Sequence, residues 1–158
     1  MSVHEFFLIS VSDEQVFNDW VELAGILIDG RRSDLVQTYG HAYLSDELVL
    51  YIFDSFSWLV PDYDDNNVGL DYHGVNIIGP SEREKFYSIL LGWINIFSVA
   101  PDPINLTGRY PTFEGSKPPI YKKMLLDKQE VLDSLLSLLS LVCRLDDTSS
   151  KYIVYCGI

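Results

Sequence analysis

The sequence predicts an α+β domain in which a single sheet of about four to six strands, mixed or antiparallel, packs with three amphipathic helices. Three observations carry that prediction. The chain has 158 residues, the size of one ordinary domain (1–158) with a substantial core. Apolar residues make up 47 %, far from the composition of disordered chains. Short β-type runs alternate with stretches of helical period, in the order β-α-β-β-α-β-(β)-α-β. No repeat, low-complexity segment or linker divides the chain.

The elements follow in order. Val3 to Val11, rich in Phe and Ile, is a first strand. Ser12-Asp-Glu-Gln15 is a capping box, and Val16, Trp20, Leu23 and Leu27 form one helix face ending near Gly30. Arg31 and Arg32 sit past that end, where positive charge suits the helix dipole. Leu48 to Phe56 is a β-type run, and Pro61 to Asn67 a polar acidic loop. Tyr72 to Ile78 is another strand. Pro80-Ser-Glu-Arg-Glu84 is a second capping box, followed by Phe86, Ile89, Leu90, Trp93 and Phe97 at helical spacing. Pro101 and Pro103 stop that helix. Ile104 to Phe113 is a short strand interrupted by Gly108 and Pro111, and Ile120 to Leu126 is a strand or a lead-in. Asp127 and Glu130 cap a third helix with a Leu-rich face, and Tyr152 to Cys156 is a closing strand.

Net charge is −12, from 23 acids and 11 bases. That balance opposes nucleic acid and anionic membrane surfaces, which would repel the chain. It fits a basic partner, or simply solubility. The anomaly is positional. From Ser33 to Glu82 there is no Lys or Arg, while nine acids occur: Asp34, Asp46, Glu47, Asp54, Asp62, Asp64, Asp65, Asp71 and Glu82. Like charges repel, so a stretch without local bases makes sense where a basic partner supplies them. Its densest part, Asp62-Tyr63-Asp64-Asp65, is flanked by Trp58 and Tyr72. Aromatic anchors in an acidic field suit a protein-binding surface. The bland alternative is a solvated loop beside core aromatics.

The search for chemistry gives no catalytic set. Asp62-x-Asp64-x-Asn66 starts like a calcium loop, but the twelfth position, which needs a bidentate Glu, is His73. His4, His41 and His73 are scattered and the two Cys form no Cys-x-x-Cys, so no metal site and no cofactor are expected. Nucleophile-elbow, dinucleotide and Walker patterns are absent. Cys143 and Cys156 read as small buried hydrophobes in a reducing, cytoplasmic compartment. The start of the chain lacks a signal-peptide pattern. The longest uncharged run, Phe86 to Pro101, is short of the ~20 apolar residues a membrane span needs.

The acid-only stretch, together with Tyr72-His-Gly-Val-Asn-Ile-Ile-Gly-Pro-Ser81 and the helix through Gly92-Trp93 and Phe97, resembles the immunity proteins of bacterial polymorphic-toxin and contact-dependent inhibition systems. The resemblance lies in size, layout and charge rather than in a diagnostic motif. It implies a non-enzymatic protein that binds and blocks a cognate toxin. Many such toxins are nucleases with basic clefts, which an acidic surface would meet by steered association. On that reading Asp62, Asp64, Asp65 and Asp71, with Tyr63 and Tyr72, contact the toxin. Two rivals stand beside it: an adaptor for another basic protein, and a ligand-binding domain or enzyme with a Trp- and Tyr-lined cleft.

Overall fold

A computed structural model describes residues 3–11, 23, 25–27, 36–62, 69–146 and 150–157, with only the backbone at 109 and 110. The first capping box, Val16 and Trp20 lie outside the described residues. Among the described residues there are six strands: β1 (Val3–Val11), β2 (Val36–Ser45), β3 (Val75–Ile78), β4 (Ile104–Thr112), β5 (Ile120–Leu126) and β6 (Lys151–Cys156). The three long helices are α1 (Asp46–Phe56), α2 (Arg83–Ser98) and α3 (Lys128–Val142).

The α+β class stands, but the single sheet is corrected to two. Four strands form an antiparallel sheet in the order β2-β1-β6-β3. β4 and β5 pair antiparallel in a separate, smaller sheet. Strand β1 is central, and its run Phe6-Phe7-Leu8-Ile9 is buried throughout. The alternation of a strand explains why. Phe6 and Leu8 point into the main core with Phe56, Phe86, Ile153 and Tyr155. Phe7 and Ile9 point to the opposite face, against Leu23, Ile26, Val154 and Cys156. Leu23 and residues 25–27 are helical, so the back of the sheet carries helical cover where the periodicity places it.

The run Leu48–Phe56 is a helix, not a strand. Ser45 caps it by accepting from the Leu48 amide, and Asp46 and Glu47 sit in its first turn, where carboxylates favour the helix dipole. Its buried residues Leu48, Val49, Ile52, Ser55 and Phe56 recur at helical spacing. Phe56 meets Phe6 and Phe86 edge-on, with centroids 6.3 and 5.6 Å away. Removing that ring costs about 3–5 kcal/mol.

Strand β2, which no sequence signal announces, fills Val36–Ser45. It is an edge strand with a bulge at Tyr39, where Leu8 pairs with Gly40 and Ile9 with Thr38. The Arg144 guanidinium donates to the Tyr39 carbonyl at 2.9 Å. The second capping box does not form: Ser81 lies inside a short 3-10 turn, Pro80–Glu82, and Glu82 makes no side-chain cap for α2. The third does, with Asp127 accepting from the Glu130 amide at 2.8 Å. Cys156 is buried as expected, whereas Cys143, just past α3, is exposed.

Candidate functional site

The acid-only stretch is acid-only in sequence but not in space. The Asp46 carboxylate accepts from the Tyr72 hydroxyl and stands 3.3 Å from His4 Nε2. Glu47 faces Lys122 of β5 at 3.8 Å. Glu82 accepts from Lys85 at 2.7 Å and from the Val60 amide at 3.0 Å. Asp71 accepts from the His73 amide at 3.1 Å, closing a local turn before β3. At least four of the acids thus have structural work among the described residues, and two lysines reach in from outside the stretch. The premise that only a partner supplies positive charge is corrected to that extent.

What remains outward lies at the C-terminal end of α1. Tyr51, Asp54 and Trp58 fall at i, i+3 and i+7, on the exposed face of the helix and the turn after it. Trp58 is 64 % exposed, while Leu59 beside it is fully buried. The backbone under the indole is fixed. Leu59 donates to the Phe56 carbonyl at 3.1 Å, and Lys85 Nζ donates to the Trp58 carbonyl at 3.1 Å. Behind Tyr51, Trp93 meets it edge-on at 5.9 Å, stacks on Phe97 at 5.6 Å, and donates its indole N–H to Ser55 Oγ at 2.9 Å. The side chains are therefore held on a rigid support, which lowers the ordering cost of binding.

Asp62 connects to this surface through Glu82, whose carboxylate accepts from the same Lys85 that donates to the Trp58 carbonyl. The Asp62 amide donates to the Ile77 carbonyl at 2.7 Å, tying the start of the acidic loop to β3. Its carboxylate lies so close over Gly79 that any Cβ there would collide with it. Burial raises the Asp62 carboxyl above its ordinary value, and the neighbouring Glu82 charge adds to the rise.

Of the other residues expected at the site, Asp71 is exposed in the turn before β3. Tyr72 is half-buried and turned inward: its ring lies edge-on to His4 at 4.6 Å and Phe53 at 5.1 Å, and its hydroxyl serves Asp46. Tyr63, Asp64 and Asp65 lie outside the described residues, as does the calcium-like pattern beyond Asp62. Among the described residues no group of three His, Cys, Asp or Glu is placed to hold a metal. No helix among them is long and apolar enough to cross a membrane. His41 stands 3.3 Å from Glu5 and stacks on Phe7.

No protein family, curated protein or solved structure matches this chain. The geometry is left to speak through its concavities. One lies between α1 and β5, lined by Asp46, Glu47, Leu50, Tyr51, Lys122 and Met124, with a volume near 140 Å³. A larger one, near 510 Å³, runs between β2 and α3. Its walls include Tyr43 and His41 on one side and Asp127, Glu130 and Asp133 on the other, with no Lys or Arg among the described residues. In the sequence α3 shows a cap and a Leu-rich face, with no part in a site. The signal for its outer face was present, since those three acids recur every third residue and share one side of the helix.

Proposed function

We propose that this chain is a protein-binding inhibitor of the immunity type, which neutralises a cognate bacterial toxin with a nuclease-like basic cleft through the surface around Trp58, Asp54 and Asp62. The observation that carries the reading is Trp58: a large aromatic side chain, 64 % exposed, on a fixed backbone beside Asp54 and a desolvated Asp62. Exposed Trp is the residue type most enriched among dominant binding contacts. Acids around it set the sign of the partner and raise the encounter rate. A carboxylate held above its ordinary pKa regains stability when a cationic group covers it.

On this reading the chain acts by binding in the cytoplasm, and its partner is a basic protein surface rather than nucleic acid or membrane. The adaptor reading shares this surface and differs only in the partner. The ligand-binding reading finds its convergent polar groups in the Asp46–Glu47–Lys122 concavity. At about 140 Å³ that space is below the roughly 300–1,000 Å³ usual for ligand pockets, whereas the β2–α3 concavity, near 510 Å³, falls within that range and is where a small-ligand reading is to be tested.

The test is genetic neighbourhood followed by co-expression. The reading requires a gene for a large toxin-bearing protein beside this one, and rescue of growth when its toxic domain and this chain are expressed together. Toxicity that the chain leaves unrelieved sinks the immunity reading. A complex formed with some other basic protein, without protection, selects the adaptor.

A further inference from the structure

The β4–β5 ribbon differs from the rest of the molecule in charge and in exposure. Its root is buried through Ile104, Leu106 and Met124. Beyond the irregular pairing between Thr107 and Pro111, the β5 residues 120–123 are all exposed. The outer part carries Phe113 at 71 % exposure, with Ile120 and Tyr121 near half. From Ile104 to Leu126 it also holds Arg109, Lys117, Lys122 and Lys123 against one acid, Glu114. This is a basic, aromatic arm on an acidic protein. The exposed apolar side chains at its outer end, Phe113, Ile120 and Tyr121, gain by being covered.

A matching surface exists on the same chain. The concavity between β2 and α3 presents Asp127, Glu130 and Asp133 beside Tyr43. The one base in the first turn of α3, Lys128, is turned away from it, donating to the Ser98 and Ala100 carbonyls at 2.8 Å each. The two features are also contiguous. Strand β5 ends at Leu126, and the next residue, Asp127, is both the α3 cap and a wall of the concavity. Each arm therefore leaves the body beside its own groove. That placement suits reciprocal exchange about a two-fold axis, in which each arm crosses to the other groove.

We propose that the β4–β5 arm docks into the β2–α3 groove of a second copy of this chain, giving a two-fold dimer by arm exchange. Charge complementarity selects this occupant: the arm carries three more bases than acids, and the described residues that line the groove include three acids and no Lys or Arg. The two chains, each at −12 overall, repel at long range. At about 0.15 M salt the Debye length is about 8 Å, which screens body-to-body repulsion far more than contacts inside a groove.

The test is sedimentation velocity of the full chain at about 0.15 M salt, over a range of concentrations. The expected result is a dimer. Lys117→Glu with Lys123→Glu reverses the arm, and Glu130→Lys with Asp133→Lys reverses the groove. Either pair should raise the dimer dissociation constant by at least about tenfold. Mixing the two variants should restore a dimer, because both arm–groove contacts of the mixed pair are then matched in sign. Circular dichroism of each variant checks that the fold is kept. A wild type that stays monomeric at every concentration overturns the proposal. So does a dimer indifferent to both reversals, or variants that fail to restore each other. The proposal uses none of Trp58, Asp54 or Asp62, so its failure leaves the toxin-binding reading standing, and the reverse.

Discussion

His4 Nε2 stands 3.3 Å from Asp46 Oδ1, joining the central strand to the first residue of α1 from inside the core. With Nε2–H turned to the carboxylate, Nδ1 accepts from the Tyr155 hydroxyl at 2.7 Å. Burial pulls the His4 imidazole below its ordinary range, more strongly than the Asp46 hydrogen bond and charge raise it. The folded state therefore prefers neutral His4. Its contribution is complete above the ordinary histidine pKa of about 6.5 and declines as the pH falls from there through the lowered folded value. Protonation would turn Nδ1 into a donor, and the Tyr155 hydroxyl has the Tyr72 carbonyl at 3.1 Å as its other acceptor. The expected outcome is a loss of stability between about pH 7 and pH 5, short of collapse. Urea denaturation across that range checks it: the slope should flatten in His4→Gln, and an equal slope in both proteins rejects the assignment.

Asp62→Asn should do the opposite of what mutation of a structural acid does. Because the folded-state pKa of Asp62 is raised, its stabilising contribution is present at low pH and is lost as the pH rises through the folded value. At neutral pH the carboxamide removes a desolvated charge beside Glu82. The melting temperature of Asp62→Asn should exceed that of the wild type at pH 7, and the gap should close in acid. On the proposed function, the same variant binds its partner more weakly, so stability and affinity move in opposite directions.

Trp58→Ala should leave stability within about 0.5 kcal/mol, since the ring is mostly in water. If Trp58 anchors the partner, affinity falls by about 2 kcal/mol or more, roughly thirtyfold. Calorimetric titration against the toxin domain measures both the stoichiometry and the loss. An unchanged affinity would falsify the placement of the binding surface.

Tyr72→Phe should destabilise the fold by about 1–2 kcal/mol, by removing the donor to the Asp46 carboxylate. Partner affinity, measured on the fraction that remains folded, should be nearly unchanged. A selective loss of binding would return Tyr72 to the surface role that its sequence neighbours suggested.

The two thiols should separate cleanly under a thiol reagent at neutral pH. Cys143 is exposed, and burial, helped by the charge of Glu5, pushes the Cys156 thiol up to about 12. One thiol should react at once and the second only on unfolding. Two fast thiols would show that β6 opens in the native state.

The contrast between Val3–Val11 and Leu48–Phe56 shows how far the sequence could be read. Both are dense in β-branched and aromatic residues. In β1 both faces of the strand are covered, so a continuous apolar run and a strand agree. In α1 the same density hid a helical stripe, and the better cue was Ser45 followed by Asp46 and Glu47. Strand β2 left little trace because it is an edge: Gln37, Thr38, His41 and Tyr43 face water, and the bulge at Tyr39 breaks the alternation. The site was half legible. The acids and Trp58 stood out by type. Pairing of Glu47 with Lys122, or of Asp46 with Tyr72, depends on residues far apart in the chain, and no local pattern encodes it.

The sheet order β2-β1-β6-β3 also has a consequence for synthesis. Strand β3 touches β1 only through β6, and the His4–Tyr155 bond spans 151 residues. The central sheet can close only once residues 151–156 are available to pair with β1 and β3. Such high contact order makes folding slow and late. During that interval the Phe6–Ile9 run lies open, and the excess of negative charge keeps nascent chains apart until the last strand slots in.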